Sequence, residues 1–316
     1  MSAPAEPVLV SVILPTHNRA PVLRRALHSV LSQTGVPLEV IVVDDASTDD
    51  TPQVLQEFTD PRLHCLRLPA RQGAAAARNA GLRESRGAWL AFLDSDDEWL
   101  PGFLQAVLEA AQASDERLGV LYTRFERLDG KRRSVTPGRL RTWLSKLPLR
   151  RYHLSGDLGC ALRRGNFITL QSALVRKACL DQVGWFDESL KRLQDWELWL
   201  RLAPLCQFAY LPLTLVRLHA SPDSLSASAA GLQEAVQIIQ QKHAAGSPEL
   251  SAHCSFILGS LHLQAGRIPA GRAALWQAVR MNPLTLATWL AWLIAALPAA
   301  LHRKFVRRLG FGYRME

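Results

Sequence analysis

The sequence is poor in the patterns that define several common protein classes. Cysteine is scarce: Cys65, Cys160, Cys179, Cys206 and Cys254 are odd in number, widely scattered, and form no CxxC pair. This excludes a disulfide framework and a structural zinc site, and predicts reduced thiols in a cytoplasmic protein. No HExxH motif occurs. No Lys or Arg precedes the apolar stretch of the N-terminal MSAPAEPVLV, so no secretory signal is expected. The longest charge-free run, Met281–Leu301, is cut by Pro283 and Pro298 to Leu284–Leu297, short of the roughly 20 residues that span a bilayer. The turn after the first strand-like segment, Pro15-Thr16-His17-Asn18-Arg19, has no glycine, and no GxxxxGK[ST] is present. A dinucleotide fingerprint and a P-loop are therefore both absent. Basic residues are not interleaved with aromatics in the manner of a nucleic-acid module, so nucleic acid is not an expected partner.

What remains is an ordinary globular composition. With 316 residues, 48% hydrophobic and 21% charged, the chain has length for roughly two domains and a sizeable core. The formal net charge is +9. Its main source is Arg117–Arg164, where thirteen Lys or Arg face Glu126, Asp129 and Asp157 for a net of +10. A second basic patch, Arg303, Lys304, Arg307, Arg308 and Arg314 against Glu316, lies at the C-terminal end. Such blocks suit anionic lipid or phosphorylated small molecules, or are simply solvated.

Strand and helix signals alternate through the first half. Val8–Leu14, Leu38–Val43, Arg62–Leu68, Ala88–Leu93 and Leu118–Arg124 read as strands. Between them, Pro21–Gln33, Thr51–Phe58, Gly73–Ser85 and Gly102–Ala113 read as helices, the second capped by Ser47 or Thr48 with Asp49 and Asp50 in its first turn. Continuous apolar strands separated by helices predict an α/β fold: a mostly parallel central sheet with helices on both faces.

Two of these strands end in carboxylates: Asp44-Asp45 after the second, Asp94-Ser95-Asp96-Asp97 after the fourth. Ligands of open α/β sheets bind beyond the carboxyl ends of the strands, so both clusters belong on one rim. Three carboxylates in four residues exceed what helix capping requires. A hard divalent cation, Mg²⁺ or Mn²⁺, bound there would neutralise a diphosphate where no glycine loop can.

The segments Ser11–Arg19 (SVILPTHNR), Glu39–Thr51 (EVIVVDDASTDDT), Gln72–Leu82 (QGAAAARNAGL), Gly87–Pro101 (GAWLAFLDSDDEWLP) and Val183–Ala203 (VGWFDESLKRLQDWELWLRLA), in that order, resemble glycosyltransferase family 2, whose members have the GT-A fold. The resemblance extends from Val10 to about Ser226. It implies a metal-dependent inverting transfer of a sugar from a nucleotide-sugar donor, UDP-sugar favoured, to a glycan or lipid-linked acceptor, with cell-surface polysaccharide assembly as the setting. It places Pro15, Thr16, Asn18 and Arg19 at the first donor-contacting loop. Asp45, supported by Asp44, falls at the nucleobase, and Arg78 and Asn79 on the helix flanking the donor. Asp94-Ser95-Asp96 is the family's DxD element, with Asp96 as first metal ligand, Asp94 on ribose or metal, and Asp97 and His219 as further metal ligands. Asp195 takes the place of the family's proposed general base. The family usually has Glu-Asp there, whereas this chain has Gln194-Asp195; Glu197 is a substitute base on the same segment. His219, in VRLHASPDS, could instead touch the diphosphate, and Arg217 beside it is a second candidate there.

The implied domains are 1–228, catalytic, with a nucleotide-sugar half (8–125) and an acceptor half (126–228), and 229–316, a helical tail. In the tail, Ala252–Pro283 resembles one helix–turn–helix repeat of the tetratricopeptide type. The basic acceptor half, including Arg150, Arg151, Arg163 and Arg164, suits an acceptor carrying phosphate. Leu284–Leu297 reads as a buried helix, or as an interfacial one aided by Trp289, Trp292 and the cationic tail. The expected location is cytoplasmic, with peripheral contact at the inner face of the cell membrane as an open alternative. Two rival readings keep the fold: a nucleotidyltransferase acting on sugar phosphates, and a non-catalytic module that binds a nucleotide sugar or docks at a membrane.

Overall fold

The computed structural model describes residues 10–130, 132–137, 153–220, 229–283 and 286–296. Arg150, Arg151 and the C-terminal basic patch lie outside them. The described residues divide into two compact units, one from 10–162, 166–189 and 194–220, the other from 163–165, 190–193 and 229–296.

The first unit is an α/β domain around a nine-stranded sheet. Its strands are β1 (Val10–Thr16), β2 (Leu38–Asp44), β3 (Leu63–Arg67), β4 (Trp89–Phe92), β5 (Glu98–Trp99), β6 (Leu118–Asp129), β7 (Arg132–Thr136), β8 (Ala173–Arg176) and β9 (Gln207–His219). The order is β3-β2-β1-β4-β8-β6-β9-β5, with β7 on β6. The expected parallel pairing holds across β3-β2-β1-β4. Strand β8 then joins both β4 and β6 antiparallel, β9 runs parallel to β6, and β5 pairs antiparallel with β9.

Alternate side chains of the parallel strands feed two layers, as the period of two demands. Val10, Val12, Leu14, Val40 and Val42 pack with α1 (Ala20–Leu31), α2 (Thr51–Gln56) and α4 (Phe103–Gln112). Ile13, Leu90 and Phe92 pack with α3 (Ala74–Glu84), α6 (Lys177–Val183) and α7 (Gln194–Leu202); a one-turn α5 (Gly159–Leu162) and a 3₁₀ turn at Leu170–Ser172 lie in the same layer. Gly81 lets α3 close on β1, since a Cβ there would stand 2.7 Å from Ile13 Cγ2.

Helix α2 is not capped as expected. No side-chain cap bond is present at Asp50, its N-cap, and Asp49 stands outside the helix, where its Oδ1 accepts from Thr51 N at 3.0 Å. Ser47 instead uses its hydroxyl to accept from Asn18 N at 2.9 Å. Helix α7 begins at Gln194, so Asp195 lies inside its first turn and is not its cap. Two fully buried tryptophans anchor α7: the Trp196 indole donates to Leu162 O at 2.8 Å and the Trp199 indole to Ile168 O at 2.9 Å.

The second unit is helical: α8 (Ala229–His243), α9 (Pro248–Gln264), α10 (Ile268–Met281) and α11 (Leu286–Ala296). The expected hairpin is α9–α10. Gly259 and Gly271 face each other across it, and a Cβ on Gly259 would meet Leu275 Cγ at 2.8 Å. Helix α11 packs Ala291 and Ala295 on Leu275. Leu290 and Leu293 remain 46% and 52% exposed, so α11 is buried on one side only.

Candidate active site

The register aligns Thr16, Asp44 and Arg67 at the carboxyl ends of β1, β2 and β3. Asp44 accepts from Ser47 N at 2.9 Å and faces Arg67 at 3.5 Å. Asp45 accepts from the backbone N–H groups of Gln72 and Gly73 at 2.6 and 2.8 Å, and so fixes the loop that opens α3. Its own N–H donates to Thr16 O at 2.8 Å. Asn18 Oδ1 accepts from Thr48 N at 2.8 Å. Pro15 is buried within β1. Thr16 Oγ1 is buried with no hydrogen-bond partner among the described residues, an unmet polar group on the rim where a donor base or ribose is expected.

Beyond β4, Asp94 Oδ1 accepts from Arg78 at 2.5 Å and Oδ2 from Gln171 Nε2 at 2.5 Å. The other Arg78 terminal nitrogen donates to Gln194 Oε1 at 2.5 Å, and the guanidinium lies over the Phe186 ring, 5.6 Å from its centroid. A buried arginine thus ties the loop after β4 to the first residue of α7. Asp195, the next residue, accepts from Asn166 Nδ2 at 2.9 Å and from Trp196 N at 2.8 Å. Desolvation pushes its carboxyl above the ordinary carboxylate range, and nearby Asp94 adds to the rise; the two hydrogen bonds and Arg78 oppose it. Asn79, paired with Arg78 on α3, spends its amide on the protein: it donates to Phe186 O and Glu188 Oε1 at 2.9 and 2.8 Å and accepts from Phe186 N at 3.0 Å. Both side chains thus link α3 to other segments of the site.

The four expected metal ligands do not form one cluster. Among the described residues no three His, Cys, Asp or Glu side chains gather as a ready metal site. Asp97 is buried and accepts from His219 N at 2.9 Å, while His219 Nε2 lies 3.1 Å from Glu98 Oε1. The reason is topological: β5 pairs with β9, setting Glu98 opposite Arg217 and turning Asp97 to the β9 backbone. Arg217 is absorbed by Glu98 and Glu126 at 2.8 and 2.7 Å. With Asp94 held by Arg78 and Gln171, Asp96 is left as the first-choice ligand, part-exposed and 3.8 Å from Arg19; Arg25 donates to its backbone carbonyl. Ser95, between the two, is buried. Burial, then the neighbouring Asp94 charge, push the Asp96 carboxyl up. Burial, Asp96 and Asp94 push Asp97 well up. A cation would relieve carboxylates disfavoured by burial and by one another's charge, and the part-exposed Asp96 could hold a hard divalent ion together with substrate phosphates.

Gln171 and Asn166 escaped the sequence reading. Neither sits in a recurring motif; each matters through the carboxylate it meets across 77 and 29 residues of chain. Three non-glycine residues have left-handed backbones, Asn18, Ala46 and Leu193. Each is next in sequence to a stretch of the site; asparagine tolerates this conformation, whereas alanine and leucine rarely adopt it, and their residue types do not announce it.

A parallel β3-β2-β1-β4 half with acidic loops after β2 and β4, facing a carboxylate on α7, defines a GT-A-type α/β protein. The model of glycosyl transferase family 2 matches residues 11–174. The chain belongs to glycosyltransferase family 2. Among curated relatives, the succinoglycan biosynthesis protein ExoO of Rhizobium meliloti is 39% identical over 122 residues, 39% of this chain and 35% of that protein. The UDP-Glc:alpha-D-GlcNAc-diphosphoundecaprenol beta-1,3-glucosyltransferase WfaP of Escherichia coli is 41% identical over 92 residues, 29% of this chain and 37% of that protein. The match thus spans little more than a third of either relative. Among solved structures, S. aureus TarS 1–349 with UDP-GlcNAc superposes with a TM-score of 0.64 at 20% identity, over 97% of this chain and 93% of that one. The mannosyltransferase PcManGT of Pyrobaculum calidifontis, with GDP-Man and Mn²⁺, gives 0.58 at 22% identity, over 96% and 84%. These two likenesses concern the fold.

Among the described residues, no helix is long and apolar enough to cross a membrane.

Proposed function

We propose that the chain is an inverting glycosyltransferase that moves a sugar from a nucleotide-sugar donor to a glycan or lipid-linked acceptor in polysaccharide assembly. The observation that carries this reading is the Arg78 bridge, which joins Asp94 of the DxD loop to Gln194 beside Asp195. It supports a donor-side carboxylate loop and a proton acceptor sharing one site, the two parts a direct displacement requires.

In this reading, Thr16 and Asp45 lie against the nucleoside and Asp96 at the diphosphate. Asp195 takes the proton of the acceptor hydroxyl as its oxygen attacks the anomeric carbon. The bond to the diphosphate breaks on the opposite face, and the configuration inverts. The raised pKa of Asp195 suits a proton acceptor at neutral pH better than an ordinary carboxylate would. Asn166 and Trp196 N aim the carboxylate. A divalent cation at Asp96, Mn²⁺ or Mg²⁺, when bound would offset the charge growing on the leaving diphosphate as a Lewis acid. UDP-Glc in one relative's name, and UDP-GlcNAc and GDP-Man in the two structures, support a nucleotide-sugar donor. The diphosphoundecaprenol acceptor of WfaP supports a lipid-linked acceptor. Peripheral contact with an anionic membrane belongs to the same proposal.

Thermal stabilisation by UDP-, GDP- and dTDP-sugars, with and without Mn²⁺, tests the donor and metal. One of them should stabilise the chain only with the metal, and Asp195→Asn should keep that stabilisation while losing turnover. No stabilisation by any of them, or full turnover in Asp195→Asn, overturns the reading.

A further inference from the structure

The helical unit carries a partly exposed aromatic cluster, flanked by exposed leucines, that the transfer chemistry does not use. Trp276 on α10 and Trp289 and Trp292 on α11 form a triangle, with ring centroids 5.2 to 6.3 Å apart. Trp276 is 42% exposed, and Leu290 and Leu293 beside the other two are exposed more fully. An apolar surface of this kind is rare on a protein facing only water. Trp289 also keeps its indole N–H on Pro283 O at 2.8 Å, so its polar atom is satisfied by the backbone.

Charge says what the surface fits. From Leu250 to Met315 the sequence has no Asp or Glu, yet it carries Arg267, Arg272, Arg280, Arg303, Lys304, Arg307, Arg308 and Arg314. Arg280 is exposed one turn after Trp276 on α10. A protein partner recognised through exposed Trp and Leu alone would not require the exclusion of every carboxylate from 66 consecutive residues. An anionic lipid surface would: tryptophan favours the headgroup boundary, leucine the outer acyl region, and cations the phosphates. The 11 described residues of helix α11 can lie in such an interface and are too few to cross it.

We propose that the Trp276–Trp289–Trp292 surface, with Leu290 and Leu293, is an interfacial docking site for an anionic lipid membrane. It rests on the peripheral-contact part of the proposed function and is independent of the transfer step. The test is flotation of the full chain with phosphatidylcholine vesicles, with and without phosphatidylglycerol. The chain should float with the phosphatidylglycerol vesicles, and salt should weaken the association. Leu290→Ser/Leu293→Ser, both at exposed positions, should cut the bound fraction at least tenfold without changing the melting temperature or the nucleotide-sugar stabilisation. Trp276→Ser should act in the same direction. The proposal is overturned if the wild-type chain floats with neither vesicle, or if the double-serine chain floats as well as wild type. It is equally overturned if the wild-type chain dimerises through this face and the double-serine chain does not, for then a second copy covers it. None of these outcomes bears on donor binding, so the two readings fail separately.

Discussion

Asn166→Ala isolates the hydrogen bond that tunes the proposed base. Asn166 donates to Asp195 Oδ2 at 2.9 Å, and the bond favours the charged carboxylate against the desolvation that raises its pKa. A hydrogen bond to a charged group is worth about 1.5–3 kcal/mol. Asp195 keeps the Trp196 N–H and is part-exposed, so water recovers some of the loss. The lower end, about 1.5 kcal/mol, corresponds to about one pH unit. The sign is fixed: removing a partner of the charged form raises the pKa further, and the acid limb of turnover moves to higher pH. Asn166→Asp sharpens the comparison. It keeps an acceptor for Ile168 N, now at 3.1 Å from the Asn166 oxygen, but replaces the donor by a like charge. Asp195 should therefore rise more than in the alanine variant. The carboxyl ¹³C shift of Asp195, assigned by its disappearance in Asp195→Asn, follows the titration without any substrate. An unmoved or lowered titration in Asn166→Ala, with the fold intact, refutes the assignment of Asn166 as the positioning residue for the base.

Arg78→Met removes a buried cation from Asp94 and Gln194. It should cost about 1–3 kcal/mol in a denaturant titration, because the part-exposed Asp94 loses its charged partner and the buried Gln194 oxygen its donor. It should also raise the Asp195 titration, which Arg78 holds down. Glu39 provides a stability prediction away from the site. Burial works against its charge, but Ser11, the Arg86 backbone N–H and the Arg86 guanidinium outweigh it and leave its carboxyl below the usual range. A folded-state pKa below the unfolded one adds stability above the ordinary carboxylate range and loses it as pH falls through the folded value. Glu39→Gln should thus destabilise by about 1–3 kcal/mol at neutral pH, and the gap to wild type should narrow in acid, read from melting temperatures across pH.

Much of the fold is written in local patterns. The runs that become β1, β2 and β4 are apolar because both faces of those strands are covered, and the strand-end carboxylates are visible because they break those runs. The α9–α10 hairpin shows in the helical spacing and in Gly259. Helix caps read less well: Ser47 is a good cap by type, yet a residue 29 positions away takes its hydroxyl.

Residue type and spacing alone decided which carboxylates exist and which strand ends carry them, since burial demands apolar runs and the chain must place charge where the runs stop. Tertiary structure alone decided which of those charges remain available. Antiparallel β8 and the β5–β9 pairing are long-range choices, and they bring Gln171 to Asp94 and His219 to Asp97, while Asp96 stays part-exposed beside Arg19. Electrostatic and hydrogen-bond energies depend on distances through space, which separation along the chain does not set.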